Sequence, residues 1–330
     1  MRKVLLGFVL VLMISGISYL RFRHAKPSFP VAYAGNHRVT LWSTTAQVRE
    51  PAATVNFGDR LDVLNSLYDQ VQVRTASGVT GWASVHDLIS AEVWQKAKNL
   101  ETTAAMLPVA AQGHTRVLSN LHIEPGRDFP RIRQLDKDVP LELFERQAVE
   151  VPVAVPSTGP PPGGEAKKED WWFVRAHLLD QTSQVGWILR RFISLDVPSP
   201  LPDYASSAGI HIVAWFELNR VTDSFGHARP QYLVVGNRGT EGQACDFTLL
   251  RVFTWGIKRQ RYETAFIESD VCGKLPVKLT PTASPGADAT FAFEDLSSRT
   301  SENRVYQMQQ TMVRRVRRPG AASAVRKRAI

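Results

Sequence analysis

Two stretches far apart in the chain run through the same series of short alternating segments and close on the same Gly-Trp pair. This repeat limits the chain to a modular β architecture. The first copy passes from Val48-Arg49-Glu50-Pro51 through Val55–Leu64 and Val71-Gln72-Val73-Arg74 to Gly81-Trp82-Ala83 and Leu88-Ile89. The second passes from Ile123-Glu124-Pro125-Gly126 through Ile132–Phe144 and Trp172-Phe173-Val174-Arg175 to Gly186-Trp187-Ile188 and Phe192-Ile193. Apolar and polar residues alternate inside each copy, Leu61 and Val63 against Arg60 and Asp62, which is the pattern of a half-buried antiparallel strand. Gly58-Asp59 and Ser77-Gly78 mark turns. Strands this short close most readily into a small barrel.

The order V-R-x-x-P, G-D-x-L-x-V-L, V-x-V and G-x-x-G-W-A with a closing apolar pair resembles a bacterial SH3-type (SH3b) domain. Residues 37–90 match closely. Residues 114–196 match with two departures, Lys137-Asp138 at the Gly-Asp turn and an insertion over 146–170. The whole chain is similar to exported SH3-containing proteins of environmental bacteria. The resemblance implies small barrels that bind or tether, often at peptidoglycan or its peptides, with no cofactor. Trp82 and Trp187, fixed in the Gly-Trp pair, are expected in the cores. Trp42, Tyr68 and Trp171 fall off the inward register of their neighbours and are the candidate ligand-binding aromatics.

The net charge of +9 on 330 residues points, taken whole, to a polyanion partner. Its distribution removes that reading. Residues 1–26 hold five basic and no acidic groups, and residues 314–330 hold seven and none (Arg314, Arg315, Arg317, Arg318, Arg326, Lys327, Arg328). The remaining 28 of the 40 Lys and Arg face all 31 Asp and Glu, so residues 27–313 sum to −3. A nucleic-acid partner is not expected. The basic C-terminal end is expected as a disordered tail, or as an electrostatic contact to an anionic surface.

Val4 to Leu20 is an uncharged apolar run flanked by Arg2-Lys3 and Arg21-Phe22-Arg23. Such a segment reads as a signal anchor or a cleaved signal peptide. It places the chain outside the cytoplasm, anchored in an inner membrane and facing the periplasm, or soluble there after cleavage.

The insertion contains Pro156-Ser157-Thr158-Gly159-Pro160-Pro161-Pro162-Gly163-Gly164, a composition expected as a mobile loop. Between the copies, residues 90–107 have helical spacing, with Ser90 as N-cap and Trp94 docked on a barrel. After a Pro-rich stretch at 198–202, about seven alternating segments over 203–313 predict a C-terminal antiparallel sandwich or barrel. It holds both cysteines, Cys245 and Cys272, a candidate disulfide in an exported chain.

The chain has no G-x-S-x-G, H-E-x-x-H, C-x-x-C or P-loop motif, and its histidines lack metal-ligand spacing. The expected fold is therefore mainly β: an N-terminal apolar helix over 1–26, two small barrels joined by a helix, and a third β domain. The expected function is a non-enzymatic envelope binding or scaffold protein contacting peptidoglycan, a peptide or an envelope protein. The alternative is an enzyme acting on a cell-wall component through the C-terminal domain.

Overall fold

The computed structural model describes residues 29–151, 167–239, 241–280, 288–298 and 300–316, and these are mainly β, in three antiparallel sheets. They form two compact units that part between Trp94 and Gln95. The first unit holds β1 (Val31–Ala34), β2 (Arg38–Trp42), β3 (Pro51–Asn56), β4 (Arg60–Leu67), β5 (Gln70–Arg74), β6 (Thr80–Ser84) and β7 (Leu88–Ser90). Their order in the sheet is β3-β2-β6-β5-β4-β1-β7. The module starts at Val31, ahead of the boundary expected at 37, because β1 pairs with both β4 and β7. Helix α1 (Ala91–Ala105) follows directly, its first turn capped by the Ser90 hydroxyl, which accepts from the Val93 N–H at 3.2 Å. Trp94 stacks on Tyr33 at 4.7 Å.

The second unit begins with β8 (Ala111–Thr115), β9 (Ser119–His122), β10 (Arg131–Leu135), β11 (Pro140–Glu150), β12 (Lys168–His177), β13 (Ser183–Leu189) and β14 (Ile193–Leu195). Their order, β10-β9-β13-β12-β11-β8-β14, repeats that of the first sheet strand for strand. Even the irregularities recur. A register shift separates Leu41 from Trp42 on β2 and Arg131 from Arg133 on β10, at the same pairing, and another falls at Leu64 on β4 and at Phe144 on β11. Bulges at fixed points bend a short sheet in the same way each time.

Two residue-level expectations change. Gly81 and Gly186 face the core of their sheets and are buried, while Trp82 and Trp187 are half-buried on the opposite face, where Trp187 packs against a second apolar cluster of Phe144, Phe173 and Val185. A Cβ on Gly81 would come 2.8 Å from that of Leu41, and one on Gly186 would come 2.7 Å from the Leu121 side chain. Core strands approach too closely there for any side chain. The left-handed turn residue is Gly58 (φ 83°) in the first copy and Asp138 (φ 64°) in the second. Asp and Asn tolerate that conformation better than other side chains.

The insertion is also shorter than the 146–170 expected. β11 runs on to Glu150 and β12 starts at Lys168, pairing throughout, and residues 152–166 lie outside the described residues.

Helix α2 (Leu201–Ser207) leads into β15 (His211–Thr222), β16 (Ala228–Asn237), β17 (Phe247–Gly256), β18 (Arg261–Thr280), β19 (Ala289–Asp295), β20 (Glu302–Gln309) and β21 (Met312–Val316). These pair in sequence order as one up-and-down meander, not as the two sheets of a sandwich. One continuous apolar core joins this sheet to the second module, running from Leu121, Trp172 and Ile188 to Leu233, Phe291 and Tyr306. A buried arginine crosses the same junction. Arg146, on β11, donates from Nε to Asp246 at 3.1 Å and from Nη2 to the carbonyls of Gln243 and Cys245, both at 2.6 Å, and pairs with Asp170. Cys245 and Cys272 are joined by a disulfide beside it.

Arg314 and Arg315 lie in β21 and not in a disordered tail. Arg317, Arg318, Arg326, Lys327 and Arg328, and the apolar run at 4–20, lie outside the described residues. Among the described residues no helix is long and apolar enough to cross a membrane.

Candidate functional site: a cationic aromatic pocket on the second module

The second module carries on its outer face a pocket of about 320 Å³. Its apolar wall is Leu118, Trp171, Leu189 and Phe192; its polar side is Asn120, His122, Arg127, Gln134 and Arg191. Alternation on β12 places Trp171 and Glu169 on one face, and the 3-10 turn Arg190–Phe192 brings Arg191 beside them.

Glu169 is 5% exposed and organises the cationic side. Arg127 binds it with two parallel hydrogen bonds, Nε to Oε2 at 2.9 Å and Nη2 to Oε1, and Arg191 reaches Oε1 at 3.4 Å. The Arg127 hydrogen bonds hold the Glu169 carboxyl below the usual carboxylate range, against the opposing effect of burial. Two guanidinium groups thus share one carboxylate, leaving a positive charge facing the opening. His122 adds none at neutral pH, because burial lowers its pKa. Its Nδ1 bonds the Phe129 carbonyl at 2.9 Å and its ring meets Trp171 edge to face at 5.3 Å, so the imidazole is fixed as part of the wall. Asn120 and Gln134, joined at 3.4 Å, are exposed amides at the rim. The arrangement suits a small ligand with an anionic end, an apolar body and amide groups between.

Of the three aromatics singled out in the sequence, Trp171 lines this pocket, although at 3% exposure it is not an exposed platform. It faces away from Trp172 and Val174, which belong to the core on the other side of β12, and the His122 ring covers it. Trp42 is half-buried on the first module, with the Arg49 guanidinium 4.5 Å over its ring. It stands where His122 stands in the second module: each pairs across the sheet with the tryptophan of its Gly-Trp motif. Tyr68 is 97% exposed in the left-handed turn between β4 and β5, away from any described cavity.

The sequence reading missed His122, Arg127, Glu169 and Arg191. The match of His122 with Trp42 comes only from the strand register, since His122 lies 65 residues ahead of Trp187 and Trp42 lies 40 ahead of Trp82. Glu169 was hidden inside the segment read as loop.

No protein-family model matches the chain, and no curated protein matches it. Solved structures similar to parts of it include NlpC1 from Trichomonas vaginalis, 11% identical with a TM-score of 0.18 over 52% of this chain and 47% of that one. An NlpC/P60 family protein from Bacillus cereus is 13% identical, with a TM-score of 0.22 over 58% and 65%. NlpC2 from Trichomonas vaginalis is 9% identical, with a TM-score of 0.18 over 74% and 99%. The chain spans about half the length of the first of these. Among the described residues no cluster of His, Cys, Asp and Glu could hold a metal ion.

Proposed function

We propose that the chain is a non-enzymatic binding protein of the cell envelope, built on two SH3-type modules, and that the second module holds its ligand. The observation that carries this reading is the pocket, in which two arginines share one buried carboxylate beside an indole and a phenyl wall. A peptide carboxylate takes the free edges of Arg127 and Arg191 as charge-assisted hydrogen bonds. Its side chains lie against Trp171 and Phe192, and its amides meet Asn120 and Gln134. A peptidoglycan stem peptide has this chemistry. The first module, with Trp42 under Arg49 in place of His122, presents a different face and takes a different ligand or none.

Calorimetric titration of the protein with a muramyl stem peptide tests the proposal. Arg191→Leu is expected to weaken binding about 10- to 100-fold, the range for a lost hydrogen bond to a charged group. Amidation of the peptide's terminal carboxylate is expected to do the same. Binding that ignores both changes, or no binding at all, overturns the assignment.

A further inference from the structure

The C-terminal sheet ends in two hairpin tips that are tied together, and each presents an apolar side chain to solvent. Phe225, between β15 and β16, is 73% exposed, and Ile257, between β17 and β18, is 51% exposed. Gln260 clamps the tips, its Nε2 donating to the Ser224 hydroxyl at 2.8 Å and to the Ile257 carbonyl at 2.7 Å. Within each tip the backbone is fixed: Asp223 Oδ1 accepts from the N–H groups of Phe225 and His227, both at 2.9 Å, and in the other tip the Gln260 N–H donates to the Gly256 carbonyl at 2.8 Å. Behind the tips a ladder of rings, Trp255, Tyr262, Tyr232 and Trp215, makes successive contacts at 5.2, 5.6 and 5.8 Å and holds the hairpins side by side.

A core-forming role does not account for Phe225 and Ile257, which point outward from turns that other residues already stabilise. Basic side chains surround them. Lys258, Arg259 and Arg261 are exposed, and His227 is exposed beside Phe225. Two carboxylates lie near: Asp223, buried under Arg229, and Glu263, which pairs with Arg259 at 3.1 Å and approaches Arg261 at 3.9 Å. Three permanent cations against the half-buried Glu263 leave the tips positive. A rigid apolar pair in a basic collar fits an interface that is negative at its surface and apolar beneath.

We infer that these paired tips dock on a phospholipid bilayer bearing anionic headgroups, with Phe225 and Ile257 entering the acyl boundary and Lys258, Arg259 and Arg261 lying at the phosphates. This goes beyond the ligand reading of the second module and uses none of its residues.

The test places a single environment-sensitive fluorophore on the full chain through Phe225→Cys, Ile257→Cys or Leu179→Cys. Leu179, 103% exposed on a hairpin of the second module beside Asp180, serves as the apolar tip without a collar. Vesicles are phosphatidylcholine alone or equimolar with phosphatidylglycerol. The expected result is a blue shift at 225 and 257, with quenching by lipid-borne quenchers, on the mixed vesicles only. The shift is lost at about 1 M salt, where the Debye length is about 3 Å, and in the Lys258→Glu, Arg259→Glu double variant. Label 179 stays unchanged. No shift at 225 and 257, an equal shift at 179, or an equal shift on uncharged vesicles overturns the inference. Retention of the chain on purified peptidoglycan with silent tip labels assigns the collar to a cell-wall polyanion instead and overturns it as well.

Discussion

At Gly81 and Gly186 the strands of each small sheet come together so closely that even a methyl group meets a neighbour below 3 Å. Gly81→Ala and Gly186→Ala are each expected to destabilise by about 1–3 kcal/mol, the range for overpacking. Trp82→Phe, on the half-buried outer face, is expected to cost less than either. Denaturant midpoints at constant m-value check the order, and a larger loss from Trp82→Phe would return the tryptophan to the core. The Gly-Trp pair was legible in the sequence as a fixed point. Which of its two residues faces inward was not, because period-two alternation gives two faces without saying which is buried.

A second residue-scale expectation concerns Asp223. Burial alone would raise its pKa, but the His227 N–H, Arg229 and the Phe225 N–H together outweigh that and hold it at about 2, below its ordinary 3.8. The sign follows from linkage: a depressed carboxylate contributes stability that is full above about pH 3.8 and is lost as pH falls through about 2. Carbon-detected titration of the Asp223 carboxyl is expected to show this midpoint, and Arg229→Met to raise it. A midpoint at the ordinary value would mean that the turn's hydrogen bonds are not formed in solution.

Strands β11 and β12 carry the geometry of the candidate site, because adjacent residues of β12 serve two sides of the second unit. Glu169 organises the pocket, and Asp170 pairs with Arg146 and accepts from the Gly242 N–H at 3.0 Å at the junction with the C-terminal sheet. Arg146→Met strands Asp170 and Asp246 with no cation between them. It is expected to cost about 3–5 kcal/mol, as for a buried pair broken on one side. Replacing Arg146 with Met and Asp246 with Leu together recovers part of that loss in equilibrium unfolding. An unchanged unfolding midpoint in Arg146→Met would contradict the bridging role. In the sequence, Glu169 and Asp170 look like solvated ends of a polar loop. Their partners Arg127, Arg191 and Arg146 lie 22 to 42 residues away, and local composition does not register pairings at that range.

For the whole molecule, the modular plan was the part most open to sequence reading. A repeated hydrophobic period and a repeated Gly-Trp pair translate directly into two sheets of one strand order. What lay beyond it is the joining of parts. The core shared by the second module and the C-terminal meander draws on residues from Leu121 to Tyr306, and no periodicity within either segment reveals a face that another segment covers. The copies also differ at the face of the candidate site, with Trp42 under Arg49 in one and His122 beside Trp171, Arg127 and Arg191 in the other. We propose the second of these faces as the ligand site. Two-dimensional NMR of the full chain, titrated with a muramyl stem peptide, tests it most directly. Shifts are expected to concentrate at the Trp171 indole N–H, His122 and the Arg127 and Arg191 guanidinium groups, with Trp42 silent. Shifts concentrated on the first module, or none in the pocket at saturation, would contradict it.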